Sequence, residues 1–216
     1  MSAARPLDPE PTRHMTREEY LEFEKTAKLR HEFHNGVVTA MSGGSYSHCV
    51  IKTELTAELV SLTRDGDCAS FDSDMRVRVG DFREDRYVYP DASVACGDVR
   101  TDDGDYPLLT PTAVFEVTSP STGEYDRSEK LKLYLKNESV RDVVLIASDS
   151  PAVQVISRDE PGDNIRFDMA EGLDASIEVP SLGIRLELAK IYRRARFVTP
   201  ADETNSDTQS NPETNT

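Results

Sequence analysis

The sequence predicts an α/β (α+β) domain, a mixed central β-sheet flanked by helices. Three observations lead there. Segments with apolar residues at helical spacing alternate along the chain with short β-rich runs. The 216 residues suit one ordinary core of about 100–200 residues plus tails. No apolar run approaches the roughly 20 residues that cross a bilayer, so a membrane partner is not expected.

The elements follow in order. Residues 1–15 carry three prolines and no periodicity, and read as a disordered tail. Thr16-Arg17-Glu18-Glu19 is a capping box, and Tyr20, Phe23 and Ala27 follow at helical spacing, which predicts a helix over 16–27. Asn35-Gly36 between His31–His34 and Val37–Met41 is the commonest tight-hairpin turn. Val50, Leu55, Leu59 and Leu62, with Ile51 and Val60 beside them, mark a long amphipathic helix over about 46–64. Met75 to Val79 alternates strictly, which predicts a half-exposed strand with one arginine face. Tyr87–Cys96 and Thr112–Thr118 are more continuously apolar, as central strands are. Asp126-Arg127-Ser128-Glu129 reads as a cap that opens a helix carrying Leu131, Tyr134 and Leu135. Asp142–Ala147 and Val153–Ser157 read as strands. Shorter strands, a Ser181-Leu182-Gly183 turn and a helix near Leu188–Arg194 complete the domain at 16–199. Residues 200–216 read as a second disordered, acidic tail.

Charge narrows the function. The chain has 25 Lys+Arg against 40 Asp+Glu, a net −15, and counterion release and steering reward a basic surface in nucleic-acid binding. Thr16–Thr199 retains 34 acids and 23 bases, and only 7 of all the bases are lysine, as adaptation to high salt would also produce. A surface of that origin says little about one partner. Met1–Met15 lacks the apolar core of a signal peptide, so a cytoplasmic location is expected. Cys49, Cys68 and Cys96 are far apart and odd in number, which indicates neither a disulfide framework nor a zinc ribbon.

Two carboxylates interrupt apolar strands, where a charge is costly unless paired or bound to metal. Asp91 follows Tyr87-Val88-Tyr89-Pro90, and Glu116 lies inside Thr112–Val117. If the strands are neighbours, the two converge as hard oxygen ligands for Mg²⁺. The residues alone leave a second reading open, in which each pairs with an arginine or emerges at a strand end. Lys130 and Tyr134, four apart on the next helix, share one face, and the lysine can reach back over the strand end. Two carboxylates, a metal and a lysine are what phosphodiester hydrolysis needs: a polarised phosphate, an activated water and compensation of developing charge. A solvated helix lysine is the alternative.

Tyr89-Pro90-Asp91-Ala92-Ser93-Val94, Phe115-Glu116-Val117-Thr118-Ser119-Pro120-Ser121-Thr122 and Tyr125-Asp126-Arg127-x-x-Lys130-x-x-x-Tyr134 together resemble the Uma-two family, which bears a restriction-endonuclease label within the PD-(D/E)xK nuclease superfamily. Glu32-x-x-x-Gly36-x-Val38 and His48 are similar to the family's N-terminal half, and the likeness covers roughly 16–194. It implies a restriction-endonuclease-like core and a Mg²⁺- (or Mn²⁺-) dependent endonuclease. Asp91 and Glu116 would be its metal ligands, Lys130 would position or activate water, and Glu32 and His48 would assist. The implied partner is nucleic acid, DNA before RNA, and a homodimer would match the two-fold of a duplex. One position departs from the superfamily: Thr118 stands two residues after Glu116 where a lysine is usual, and Lys130 matches the position to which this family moves it.

The remaining candidates each carry two readings. Arg76 and Arg78, on one strand face, could grip a phosphate backbone or be an exposed face. Tyr134 is a substrate-binding candidate or core, as are Tyr89 and Tyr125 on the core side. His31 and His34 face opposite ways on a strand and make zinc unlikely. A catalytically silent nucleic-acid- or protein-binding module on the same fold is the alternative function.

Overall fold

The computed structural model of the chain describes residues 13–41, 43–80, 86–102, 107–119, 123–159 and 164–197, with backbone only for 123–128. In chain order the elements are β1 (Arg13–His14), α1 (Arg17–Glu24), β2 (His31–His34), β3 (Val37–Ala40), α2 (Tyr46–Thr63), β4 (Cys68–Asp72), β5 (Val77–Val79), β6 (Arg86–Val88) and β7 (Ala92–Cys96). β8 (Ala113–Thr118), α3 (Gly123–Lys136), β9 (Asp142–Ala147), β10 (Ala152–Arg158), β11 (Ile165–Glu171), β12 (Ser176–Val179), β13 (Ile184–Glu187) and α4 (Leu188–Ile191) follow.

The described strands form three sheets, of which one is a two-stranded antiparallel pair of β12 and β13. A five-stranded antiparallel sheet runs β1-β3-β2-β6-β5, and a six-stranded sheet runs β11-β10-β9-β8-β7-β4. In the second, only β8 and β9 pair in parallel, because α3 is the crossover between them. The class is therefore α+β with a mixed central sheet, as the alternation of patterns predicts. Arg13–His14, within the expected N-terminal tail, pairs with Val37–Val38; the rest of that tail, residues 1–12, and the C-terminal tail lie outside the described residues.

Local chemistry accounts for the first elements. Thr16 Oγ1 accepts from the Glu19 N–H and Glu19 Oε2 accepts from the Thr16 N–H, closing the capping box. Asn35 and Gly36 both have positive φ, 47° and 91°, as a two-residue hairpin turn of the favoured twist requires. α2 buries Ile51, Leu55 and Leu59, a stripe one residue away from the expected Val50 and Leu62, and packs it on Val94, Phe115, Val144 and Val155 of the central sheet. The opposite sheet face, with Val114, Val143 and Ile156, packs on Leu133 and Tyr134 of α3. α1 closes the smaller sheet with Tyr20 stacked on Phe33 at 4.8 Å between ring centroids. No helix of the described residues is long and apolar enough to cross a membrane.

Three sequence expectations change. Tyr87–Cys96 is not one strand: it breaks at Tyr89-Pro90-Asp91 and delivers β6 to one sheet and β7 to another. Proline has no N–H for a ladder and restrains the residue before it, so the run cannot continue through Pro90 as a central strand. Asp126 is not a helix cap, because α3 begins three residues earlier at Gly123. Cys68 and Cys96 form a disulfide. They are directly opposed in the β4–β7 register, a proximity invisible in a sequence separation of 28. Cys49 is the free thiol.

Candidate active site

The site lies where the broken strand, β8, α2 and α3 meet. β7 and β8 are antiparallel with Ala92 opposite Phe115, so Asp91 and Glu116 are the next facing positions beyond the paired ladder. Side chains alternate along β8: Ala113, Phe115 and Val117 join the α2-side core, whereas Val114 joins the α3-side core. Glu116 therefore points toward α3. There it accepts a hydrogen bond from the Tyr134 hydroxyl and lies 3.5 Å from Lys130 Nζ. Lys130 and Tyr134 are one helical turn apart, so both reach the same carboxylate.

The other members come from further away in sequence. Lys130 Nζ lies 3.0 Å from Glu32 Oε1 on β2, which bridges the two larger sheets. Asp91 Oδ2 accepts from the Val117 N–H at 2.8 Å, and Asp91 Oδ1 is 3.1 Å from His48 Nε2 in the first turn of α2. His48 has room for this only because residue 44 is glycine: a Cβ there would stand 2.5 Å from its ring Cδ2. Apart from Glu32, the group lines a cavity of about 730 Å³ whose wall includes Gly43, Gly44, His48, Asp91, Glu116 and Lys130.

Burial sets the charges. Glu116, 9 % exposed, is pushed up to about 7, first by desolvation; Lys130 and the Tyr134 hydroxyl oppose the rise, while Asp91 and Glu32 add to it. For Lys130, burial alone would lower the ammonium, but Glu116 and then Glu32 outweigh it and hold the amine above its usual range. The Tyr134 phenol is raised well above its ordinary value by burial and by Glu116. Asp91 and Glu116 present hard oxygens that could hold a divalent cation, with a protonated lysine beside them.

Of the residues singled out in the sequence, Asp91, Glu116, Lys130, Glu32 and His48 come together here. Of the other three, Arg76 and Arg78 lie apart from this cluster and Tyr134 joins it. Arg76 is 7 % exposed, its guanidinium 5.4 Å from the Tyr20 ring and 5.7 Å from the Tyr87 ring; stacked between α1 and the smaller sheet, it cannot grip a phosphate backbone. Arg78 lines a separate cavity of about 200 Å³ with Arg100 and Asn137. Tyr134 is buried and donates its hydroxyl to Glu116, and it also forms part of the cavity wall.

Sequence reasoning missed Glu24. Its buried carboxylate accepts from the His31 N–H at 2.9 Å and the Tyr89 hydroxyl at 3.0 Å, and lies 3.0 Å from His31 Nδ1. Tyr89 in turn lines the cavity. No local pattern marks Glu24, which ends a helix of ordinary polarity. Lys28, Arg30 and Lys52 also line the cavity and were not singled out, since an isolated surface lysine carries no sequence signature.

With this geometry, comparisons with known proteins are specific. The Uma2 family model, described as "Putative restriction endonuclease", matches residues 17–189. The "Uncharacterized protein slr1290" of Synechocystis sp. is 32% identical over 180 residues, 83% of this chain and 92% of its own length. The "Uncharacterized protein sll1609" of the same organism is 28% identical over 136 residues, 62% and 76% of the two lengths. A crystal structure from Anabaena variabilis, described as "a putative nuclease belonging to DUF820", superposes with a TM-score of 0.66 at 19% identity. It covers 83% of this chain and 98% of its own, a likeness of fold.

Proposed function

This chain belongs to the Uma2 family, and from that premise we propose that it is a metal-dependent endonuclease hydrolysing nucleic-acid phosphodiester bonds, DNA in the first place. One observation carries the reading: Asp91 from the break just before β7, Glu116 from β8 and Lys130 from α3 converge on one cavity. The donors suit a hard cation. Asp91 and Glu116 are opposed carboxylates, and Glu116 is destabilised as an anion by burial and by Asp91 and Glu32, a cost that a divalent ion offsets. Mg²⁺ or Mn²⁺, held by Asp91 and Glu116, would polarise the scissile phosphate and acidify a water.

The protein's own groups do the rest. Lys130 stays protonated and donates toward water or a phosphate oxygen, with Glu32 fixing its direction. Tyr134 anchors one Glu116 oxygen from behind. His48 and the Val117 N–H each hold one Asp91 oxygen, so the carboxylate cannot rotate away. A two-fold homodimer would present such a site to each strand of a duplex.

The purified chain with Mg²⁺ or Mn²⁺ should nick or cut plasmid DNA, and Asp91→Ala or Lys130→Ala should lower the rate by roughly 10²–10⁴. Cutting that survives both substitutions overturns the assignment. A second reading, a catalytically silent nucleic-acid- or protein-binding module, is favoured by one observation: among the described residues no group of three His, Cys, Asp or Glu side chains is arranged to hold a metal ion. Calorimetry separates the two, because a silent module takes up no divalent cation at Asp91 and Glu116.

A further inference from the structure

The chain is strongly acidic, yet the cavity wall is not. Lys28, Arg30, Lys52 and Lys130 line it against two carboxylates, Asp91 and Glu116, in a protein with 25 bases and 40 acids overall. Two of these cations converge on one neutral acceptor: Lys52 Nζ lies 3.3 Å and Arg30 Nη1 3.4 Å from Ser73 Oγ. Ser73 is itself buried. Arg30 also pairs with Asp74. Lys52 has no carboxylate partner among the described residues, and Lys28 makes no hydrogen bond or ion pair among them. Both remain unneutralised in a chain with acids to spare.

The contrast within α2 is informative. Glu54 and Glu58, on the same helix as Lys52, pair with Arg193 at 2.7 Å and Lys190 at 2.9 Å. Lys28 and Lys52 have no such partners among the described residues, although like charges nearby raise the cost of each. The N-terminal end of α2, through Gly43, Gly44 and Ser45, joins the same wall and adds the positive pole of an 18-residue helix.

We propose that Lys52, Arg30 and Lys28 form a phosphate-binding subsite beside the carboxylates, which grips the backbone of the nucleic-acid strand next to the bond that is cut. The inference rests on the nuclease reading and adds to it where the substrate strand runs. It also moves backbone contact away from Arg76 and Arg78. Ser73 aligns the Lys52 and Arg30 donors while leaving the Lys52 charge uncompensated.

The test uses the full chain carrying Asp91→Ala, to prevent cutting, and a fluorescein-labelled 12-base-pair DNA duplex with Mg²⁺, followed by anisotropy from about 20 to 200 mM KCl. Adding Lys52→Ala, and then Lys28→Ala, should weaken binding about 3- to 10-fold each at low salt and reduce the slope of log affinity against log salt by about 1 each. Lys52→Arg, which keeps the charge, should restore binding. Arg100→Ala, in the separate small cavity, should change neither quantity. If the native chain cuts and binds the duplex but slope and affinity ignore Lys52 and Lys28, this inference alone is overturned. If the native chain neither binds nor cuts, the nuclease reading fails and takes the subsite with it.

Discussion

Glu116→Gln in metal-free protein tests the electrostatics of the site independently of any activity. The amide keeps an oxygen for the Tyr134 hydroxyl and removes the titration together with the negative charge that faces Lys130. A rise from 4.5 to about 7 corresponds to about 3 kcal/mol, at roughly 1.4 kcal/mol for each tenfold change in proton affinity. The folded protein binds this proton more tightly than the unfolded chain. Its contribution to stability is therefore fully present below pH 4.5 and is lost as the pH rises through about 7. Lys130 stays charged across that window, being held above its ordinary range. Urea unfolding in EDTA between pH 4.5 and 8 should show the wild type losing about 3 kcal/mol relative to Glu116→Gln. Saturating Mg²⁺ at pH 8 should then stabilise the wild type more than the variant, since a ligand that binds only the folded state adds its binding free energy. Parallel pH profiles for the two proteins would refute the claim that Glu116 is held as a strained buried anion.

Two further outcomes follow, one from a contact within the site and one from the disulfide at the far end of β7. Gly44→Ala places a Cβ 2.5 Å from His48 Cδ2 and should displace the ring from Asp91, lowering nuclease rate with little change in melting temperature. Because both act through one contact, adding Gly44→Ala to His48→Ala should cost nothing more, whereas additive losses in a double-mutant cycle would show that Gly44 acts elsewhere. Thiol titration of the native protein should find one reactive cysteine, Cys49, of the three. Reduction of the Cys68–Cys96 bond, whose residues are 28 apart, should cost about 3–4 kcal/mol by loop entropy; three reactive thiols without unfolding would contradict the bond.

How much was legible in the sequence depends on the range of the interaction. Helix starts and hairpins are short-range events: the Thr16 box, Asn35-Gly36 and the span of α2 all follow from groups within four residues of each other. The Glu116, Lys130 and Tyr134 cluster spans up to 18 positions but joins consecutive elements, β8 and α3, so that period-two and period-3.6 rules place both partners. Asp91 needed more. Its position opposite Glu116 depends on β7 and β8 being neighbours, which the apolar run suggests but register alone fixes.

Sequence by itself thus determined which residue types could do hydrolytic chemistry and which short segments would carry them. Only the tertiary structure decided the rest. It split Tyr87–Cys96 between two sheets at Pro90, opposed Cys68 to Cys96, and turned Arg76 inward under Tyr20 and Tyr87. It brought Glu24 to His31 and Tyr89, and left Lys52 beside Ser73 at the cavity wall. These pairings join residues 7 to 65 positions apart. Local propensity is silent at the longer separations, because which strands become neighbours, and hence which polar groups must meet, is set by the burial of whole sheet faces.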